Sequence, residues 1–190
     1  MHVVLVGDSI RMGYQKYVEA ELAGFAEVTG SEGNGGSTQK VLDHLDRCVI
    51  DLAPDVVHLN AGLHDIRRPL DSNKHQVTLE DYHRNIGTIT ERIRNETSAR
   101  LIWATSTPFN EEWHNEVHKP LRDFKRFAAD LATYNEALLE EAQRLNLEIN
   151  DLNAVVVAAG PANSLDKDGV HFTDEGYAML GKAVADFIRG

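Results

Sequence analysis

Two short stretches near opposite ends of the chain carry residue types that cooperate in nucleophilic catalysis. The first is "GDS" (7–9), directly after an apolar run, and the second is "DGVH" (168–171). An aspartate and a histidine three residues apart on a turn can place a carboxylate beside an imidazole nitrogen, which is the orienting pair that a nucleophilic serine needs. Each stretch alone is weakly specific, because "GDS" also suits a capped turn and D-x-x-H is common by chance.

A glycine-rich stretch, "GNGGST" (33–38), is a third candidate. Glycines let the backbone approach a ligand closely, and their N–H groups can point at an anion. The stretch lacks the lysine of a phosphate-binding P-loop, and no G-x-G-x-x-G follows the first predicted strand. It therefore predicts either a ligand-facing turn or a plain flexible turn, with little support for a dinucleotide site.

The elements that must position these stretches follow from the alternation of short β-branched runs with segments of helical periodicity. This α/β pattern predicts a single domain (1–190), a three-layer α/β/α sandwich around a flavodoxin-like, five-stranded parallel sheet. Ligands bind beyond the carboxyl ends of the strands in such sheets, so chemistry is expected just after each strand. The predicted strands are 2–6, 25–29, 55–60, 101–106 and 147–151; the predicted helices are 12–23, 38–52, 80–96, one around 127–145, and a last one that begins at Thr173. Residues 64–79 and 107–122 are expected to be irregular.

Four blocks in order resemble the SGNH (GDSL) hydrolases. They are "GDS" after the first strand, the glycine-rich turn after the second, G-x-x-D (62–65) after the third, and "DGVH" before the last helix. The similarity extends over nearly the whole chain, including its ending "DGVHFTDEGYAMLGKAVADFI" (168–188).

The resemblance implies a serine esterase that needs no metal or organic cofactor. In that family pattern Ser9 is the nucleophile, His171 is the general base and Asp168 supports His171. The oxyanion hole uses the backbone N–H groups of Ser9 and Gly36. Its third donor comes from the block after the third strand, where the family has an asparagine and this chain has His64.

His64 is the position where the chain departs from the family. The site needs an N–H group aimed at the tetrahedral oxyanion, and a histidine can donate in its neutral or its protonated form. A protonated ring would stabilise the oxyanion more strongly but would make activity depend on pH. His64 is therefore interpreted first as a replacement donor. The alternatives are an impaired oxyanion hole and a turn histidine without a catalytic part.

Other candidates carry less weight. "HNEVH" places His114 and His118 at i and i+4, a spacing that can bind a metal, but it lacks the glutamate of H-E-x-x-H and an obvious third ligand. Surface or pocket-lining histidines are the favoured interpretation. Trp103, Phe109 and Trp113 are expected either to wall a substrate pocket or to pack in the ordinary way.

Composition excludes several classes of function. The net charge of -11 argues against a nucleic-acid partner, which needs a basic surface. No run approaches about 18 apolar residues, so no transmembrane helix is expected. The single cysteine, Cys48, lies in an apolar-periodic segment and predicts a buried thiol. With no recognisable signal peptide a cytoplasmic location is expected, although a trimmed exported form remains open.

The leading hypothesis is hydrolysis of a small acyl ester, with O-acetylated carbohydrates first. Short-chain aliphatic esters, lysophospholipids and thioesters are the lower-ranked substrate classes. A catalytically impaired binding protein on the same scaffold is the main rival. A flavodoxin-like nucleotide or phosphate binder is the third hypothesis, and it leaves "DGVH" unexplained.

Overall fold

A five-stranded, all-parallel sheet lies at the centre of the molecule. The computed structural model describes residues 1–117 and 123–190, except for the side chain of Val117. From one edge of the sheet to the other, the strands are β2 (Glu27–Gly30), β1 (His2–Val6), β3 (Val56–Asn60), β5 (Arg100–Ala104) and β7 (Glu148–Asn150).

Helices cover both faces of this sheet. Helix α1 (Ser9–Glu21) packs against α8 (Asp174–Arg189) in one layer, and α4 (Leu79–Glu96) contacts both α2 (Thr38–Asp43) and α5 (Ala128–Leu145) in the other. The predicted three-layer α/β/α fold is therefore confirmed. The other helices are α3 (Leu45–Cys48), α6 (Leu152–Ala159) and α7 (Pro161–Ser164).

The apolar runs read as strands form the core. Every residue of β3 is buried, as are Val3 to Val6 of β1, because both strands are covered by helices on their two faces. Cys48 is a buried free thiol, as predicted. Within the described residues, no helix combines the length and the apolar character needed to cross a membrane.

Two predicted helices differ from the structure, one at its start and the other in its interior. Helix α1 begins at Ser9 rather than at residue 12, because the Asp8 side chain accepts a hydrogen bond from the Ile10 N–H group and caps it. The predicted helix 38–52 is divided into α2, α3 and a 3₁₀ turn (Ile50–Leu52). The chain leaves helical geometry at His44 and Val49.

The segment 64–79, expected to be irregular, contains a short strand, and this strand pairs with residues just after the other such segment, 107–122. Strand β4 (Arg68–Pro69) pairs antiparallel with β6 (Phe124–Lys125). A turn of π-helix (Trp113–Val117) lies in the second segment. This pairing brings the flanks of both segments to the cavity that contains Ser9.

Candidate active site

Ser9 stands where β1 passes into α1. It is the first residue of a 13-residue helix, and the first N–H groups of a helix have no intrahelical acceptor. These groups and the helix dipole favour negative charge at this end. The local sequence therefore exposes the Ser9 hydroxyl group at a site suited to a developing oxyanion.

The glycine-rich loop is held directly against the Ser9 turn. The Gly35 N–H group donates to the Gly7 carbonyl oxygen at 2.8 Å, and a Cβ atom on Gly35 would lie 2.8 Å from that same oxygen. Only glycine at position 35 permits this approach. The guanidinium of Arg11, a buried side chain, donates to the carbonyl oxygens of Ser31 (3.0 Å) and Gly33 and so anchors the loop to α1.

The structure brings Ser9, His171 and Asp168 into one hydrogen-bonded chain. His171 Nε2 lies 2.8 Å from Ser9 Oγ, and His171 Nδ1 lies 2.5 Å from Asp168 Oδ2. Because a carboxylate only accepts, Nδ1 carries the proton and Nε2 offers its lone pair to the serine hydroxyl group. The arrangement is the one that lets an imidazole remove a serine proton.

Asp168 is ionised by its surroundings. Burial opposes its ionisation, but hydrogen bonds from the His171 ring and from the N–H groups of Val170 and His171 outweigh burial. They hold the pKa of the Asp168 carboxyl well below its usual range. The negative charge therefore stays beside the imidazole over the whole neutral range.

Gly36, expected as an oxyanion donor, has its N–H group engaged. The group donates to the side-chain oxygen Oδ1 of Asn34 at 2.9 Å, in a turn where Gly36 adopts φ +69°. An Asn side chain bonded two residues on is a common turn motif. Asn34 was not singled out from the sequence, although Asn two positions before a glycine was a usable signal.

His64 lies beside the same loop with a side chain that is 13% exposed. Its Nε2 is 3.0 Å from Arg67 Nη2 and 3.8 Å from Asp8 Oδ2. Burial, together with the positive charges of Arg67, Arg126 and other cations, lowers the pKa of His64 to about 3. Burial is the largest of these causes. A pKa this low favours a neutral ring near pH 7 over a charged donor with pH-dependent activity.

The residue after His64 fastens this loop to the next element. Asp65 is buried and accepts hydrogen bonds from the Thr38 N–H group (3.0 Å) and from its hydroxyl group (2.5 Å). Burial raises the pKa of Asp65 to about 7. Thr38 begins α2, so this contact fixes the His64 loop relative to the glycine-rich loop.

A cavity of about 130 Å³ opens beside Ser9. Two of its lining residues contact a third: the guanidinium groups of Arg67 and Arg126 lie 4.4 and 5.0 Å from the centre of the Phe124 ring. No local motif marked these three side chains, because two distant segments bring them together. The cavity is lined by Asp8, Ser9, Asn34, His64, Arg67, Phe124, Arg126, Val170 and His171.

The predicted aromatic wall is not part of this cavity. Trp103 is fully buried in the sheet and donates to the Thr90 hydroxyl group, and Phe109 and Trp113 are not among the lining residues. Ordinary packing is the outcome for Trp103. Phe124, which the sequence did not single out, supplies the aromatic surface instead.

The histidine pair at 114 and 118 is only partly described. His114 is buried, with Nε2 3.3 Å from Arg126 Nη1, whereas His118 lies outside the described residues. Over 1–117 and 123–190, no group of three or more His, Cys, Asp and Glu side chains could hold a metal ion.

Comparison with known proteins gives a family match and a set of similar structures. The model of the GDSL-like lipase/acylhydrolase family matches residues 5–179. No curated protein matches the chain significantly.

Several solved structures share the fold. A lipase/acylhydrolase from Enterococcus faecalis is 26% identical, with a TM-score of 0.79 over 100% of this chain and 95% of that one. The acetyl xylan esterase AlAXEase is 18% identical, with a TM-score of 0.78 over 98% of each chain. Axe2, an acetylxylan esterase from Geobacillus stearothermophilus, is 18% identical, with a TM-score of 0.75 over 98% of this chain and 93% of that one.

Proposed function

From the premise that this chain belongs to the GDSL-like lipase/acylhydrolase family and is a hydrolase acting on ester bonds, we propose that it is a serine esterase of small acyl esters, with Ser9 as nucleophile. The observation that carries the proposal is the hydrogen-bonded chain from Ser9 through His171 to Asp168. Ser9 and His171 line one cavity, and Asp168 is bonded to His171.

The reaction proceeds in two halves. Ser9 Oγ attacks the ester carbonyl carbon while His171 Nε2 takes the hydroxyl proton, and Asp168 stabilises the imidazolium. The tetrahedral intermediate collapses, and His171 gives its proton to the leaving alcohol. Water then attacks the acyl-enzyme with His171 again as base, which releases the acid and restores Ser9.

The oxyanion is held by N–H groups from three loops in this proposal. The Ser9 N–H group lies at the start of α1, the Gly36 N–H group lies in the glycine-rich loop, and the His64 ring adds a neutral side-chain donor. The Gly36 N–H group can bind the oxyanion only after its hydrogen bond to Asn34 is broken. Removal of one such donor typically costs about 10²–10³ in kcat.

The proposed substrate is an acetyl ester, with an O-acetylated carbohydrate first. A cavity of about 130 Å³ favours a short acyl group over a long chain. The acetyl xylan esterases AlAXEase and Axe2, which share the fold, support a carbohydrate alcohol. Phe124 is the aromatic side chain in the lining of this cavity.

Hydrolysis of 4-nitrophenyl acetate tests the nucleophile. Ser9→Ala should abolish both this hydrolysis and labelling by a serine-directed phosphonate, whereas the exposed Ser72→Ala serves as a matched control that keeps both. Full activity in Ser9→Ala would refute the mechanism. A series of 4-nitrophenyl esters of rising chain length, followed by acetylated xylo-oligosaccharides, a lysophospholipid and an acyl thioester, tests the substrate class.

Two observations favour a second candidate, a binding protein with an impaired oxyanion hole. The Gly36 N–H group is occupied by Asn34, and an imidazole stands in the family's asparagine position. Such a protein would bind an acetylated oligosaccharide in calorimetry without hydrolysing it or reacting with the phosphonate. Turnover of any of the esters above would exclude this candidate.

A further inference from the structure

His64 has two ring nitrogens, and Nδ1 is the one found beside Gly36 of the proposed oxyanion hole. A Cβ atom placed on Gly36 would lie 3.6 Å from Nδ1. The other nitrogen, Nε2, contacts Arg67 Nη2 and lies 3.8 Å from Asp8 Oδ2. A neutral imidazole carries one proton, so its usefulness as a donor depends on which nitrogen holds that proton.

The contact with Arg67 decides between the two tautomers. A guanidinium has donors only, and Arg67 Nη2 lies 3.0 Å from His64 Nε2. Nε2 must therefore accept through its lone pair. The competing partner, the Asp8 carboxylate, would require a proton on Nε2, but its Oδ2 lies 3.8 Å away, beyond hydrogen-bond distance.

We propose that Arg67 is a positioning residue that holds His64 as the Nδ1–H tautomer, so that a neutral ring replaces the family's asparagine as oxyanion donor. This inference rests on the proposed function for its catalytic meaning. The tautomer itself follows from the contacts alone.

Three further observations agree with this role. Burial and the nearby cations keep the ring neutral, with a pKa of about 3, so the second nitrogen stays free to accept. Over 1–117 and 123–190, His64 Nδ1 has no hydrogen-bond acceptor, which leaves its proton for a substrate oxygen. The Arg67 guanidinium lies 4.4 Å from the centre of the Phe124 ring, and this stacking fixes its plane.

Long-range ¹H–¹⁵N NMR of the whole protein at pH 7 reads the tautomer directly. The His64 signals are assigned by their loss in His64→Asn. We expect a protonated, pyrrole-type Nδ1 and an unprotonated, pyridine-type Nε2. A proton on Nε2, or on both nitrogens, would overturn the proposal. This measurement needs no turnover, so its result does not depend on whether the protein is an esterase.

Arg67→Met tests the cause, since it removes the donor but keeps much of the side-chain volume over Phe124. The His64 proton should move to Nε2, toward Asp8, and kcat for 4-nitrophenyl acetate should fall roughly 10- to 100-fold, less than the loss of about 10²–10³ that follows complete removal of an oxyanion donor. The neighbouring Arg68→Met, whose side chain pairs with Asp130, controls for loss of a positive charge. An unchanged tautomer in folded Arg67→Met would contradict the proposal.

A double-mutant cycle separates positioning from general structural support. An asparagine amide has no tautomer, so Arg67→Met should lower kcat by less than about 3-fold in the His64→Asn background. An equal loss in both backgrounds would show that Arg67 acts through the fold and not through His64. Arg67→Lys, which retains an obligate donor, should recover part of the activity.

Discussion

Asn34 and Gly36 are joined by a 2.9 Å hydrogen bond from the Gly36 N–H group to Asn34 Oδ1. The bond uses the backbone donor that the proposed oxyanion hole requires, and Asn34 also lines the cavity beside Ser9. The resting loop and the substrate therefore compete for one N–H group.

Replacing Asn34 should relieve this competition. A net hydrogen bond is worth about 0.5–1.5 kcal/mol, so Asn34→Ala should raise kcat/KM for 4-nitrophenyl acetate by about 2- to 10-fold. Asn110→Ala, whose side chain also caps a turn through the Trp113 N–H group, is a control away from Gly36. A loss of more than 10-fold in Asn34→Ala would show instead that Asn34 organises the hole.

Asp168→Asn should lower kcat roughly 10⁴-fold, the loss seen when the aspartate of a serine triad becomes an amide. The amide can donate to Nδ1 and so places the His171 proton on Nε2, where it can no longer accept from Ser9. Asp166→Asn is a matched control, because Asp166 lies on the same turn and is exposed. Steady-state kinetics of both variants, with circular dichroism to confirm folding, give the measurement.

Variants of His64 test the side-chain donor. His64→Ala should lower kcat about 10²–10³-fold, whereas His64→Asn, which restores an amide, should keep substantial activity. Because the pKa of His64 is about 3, the ratio of kcat/KM between wild type and His64→Asn should stay constant from pH 5 to 8. A ratio that changes with an inflection near pH 6.5 would mean that the ring titrates during catalysis.

The same pKa predicts how stability depends on pH. The folded state holds His64 at a pKa of about 3, below its ordinary value of 6.5, so the unfolded chain binds more protons between these values. This contribution to the free energy of unfolding is present above pH 6.5. It is lost as the pH falls toward 3, by up to about 1.4 kcal/mol per pH unit.

Urea unfolding of wild type and His64→Asn between pH 4 and 7.5 measures that contribution as a difference. Asp65, whose raised pKa of about 7 gives an opposite slope in this range, is present in both proteins. The wild type should lose stability relative to His64→Asn on acidification. Parallel curves would refute a depressed His64 pKa.

Arg11→Met should destabilise the fold and loosen the glycine-rich loop. The buried guanidinium donates to the carbonyl oxygens of Ser31 and Gly33, and hydrogen bonds of a charged group contribute about 1.5–3 kcal/mol. Arg47→Met, at a side chain that is 55% exposed, should change stability by less than about 0.5 kcal/mol. Urea unfolding at pH 7 compares the two, and equal losses would contradict the anchoring role.

The five-stranded sheet was predictable because β1, β3 and β5 contain apolar runs of the right length, and the shorter strands β2 and β7 lie between segments of helical periodicity. The bounds of the helices were predicted less exactly. Residues 38–52 have helical periodicity throughout, yet the chain leaves helical geometry at His44 and Val49. The start of α1 was also misplaced, because the cap at Asp8 was taken only as one possibility for a short turn.

The sequence by itself determined the residue types that can do the chemistry, since "GDS" and "DGVH" are short motifs next to identifiable elements. Only the tertiary structure decided their environment. Arg67 and Phe124 meet at the cavity because β4 pairs with β6, a contact between segments more than 50 residues apart that no local pattern encodes. The neutral state of His64 likewise follows from burial and neighbouring cations, because a pKa is set by what surrounds a group in space and not by its place in the chain.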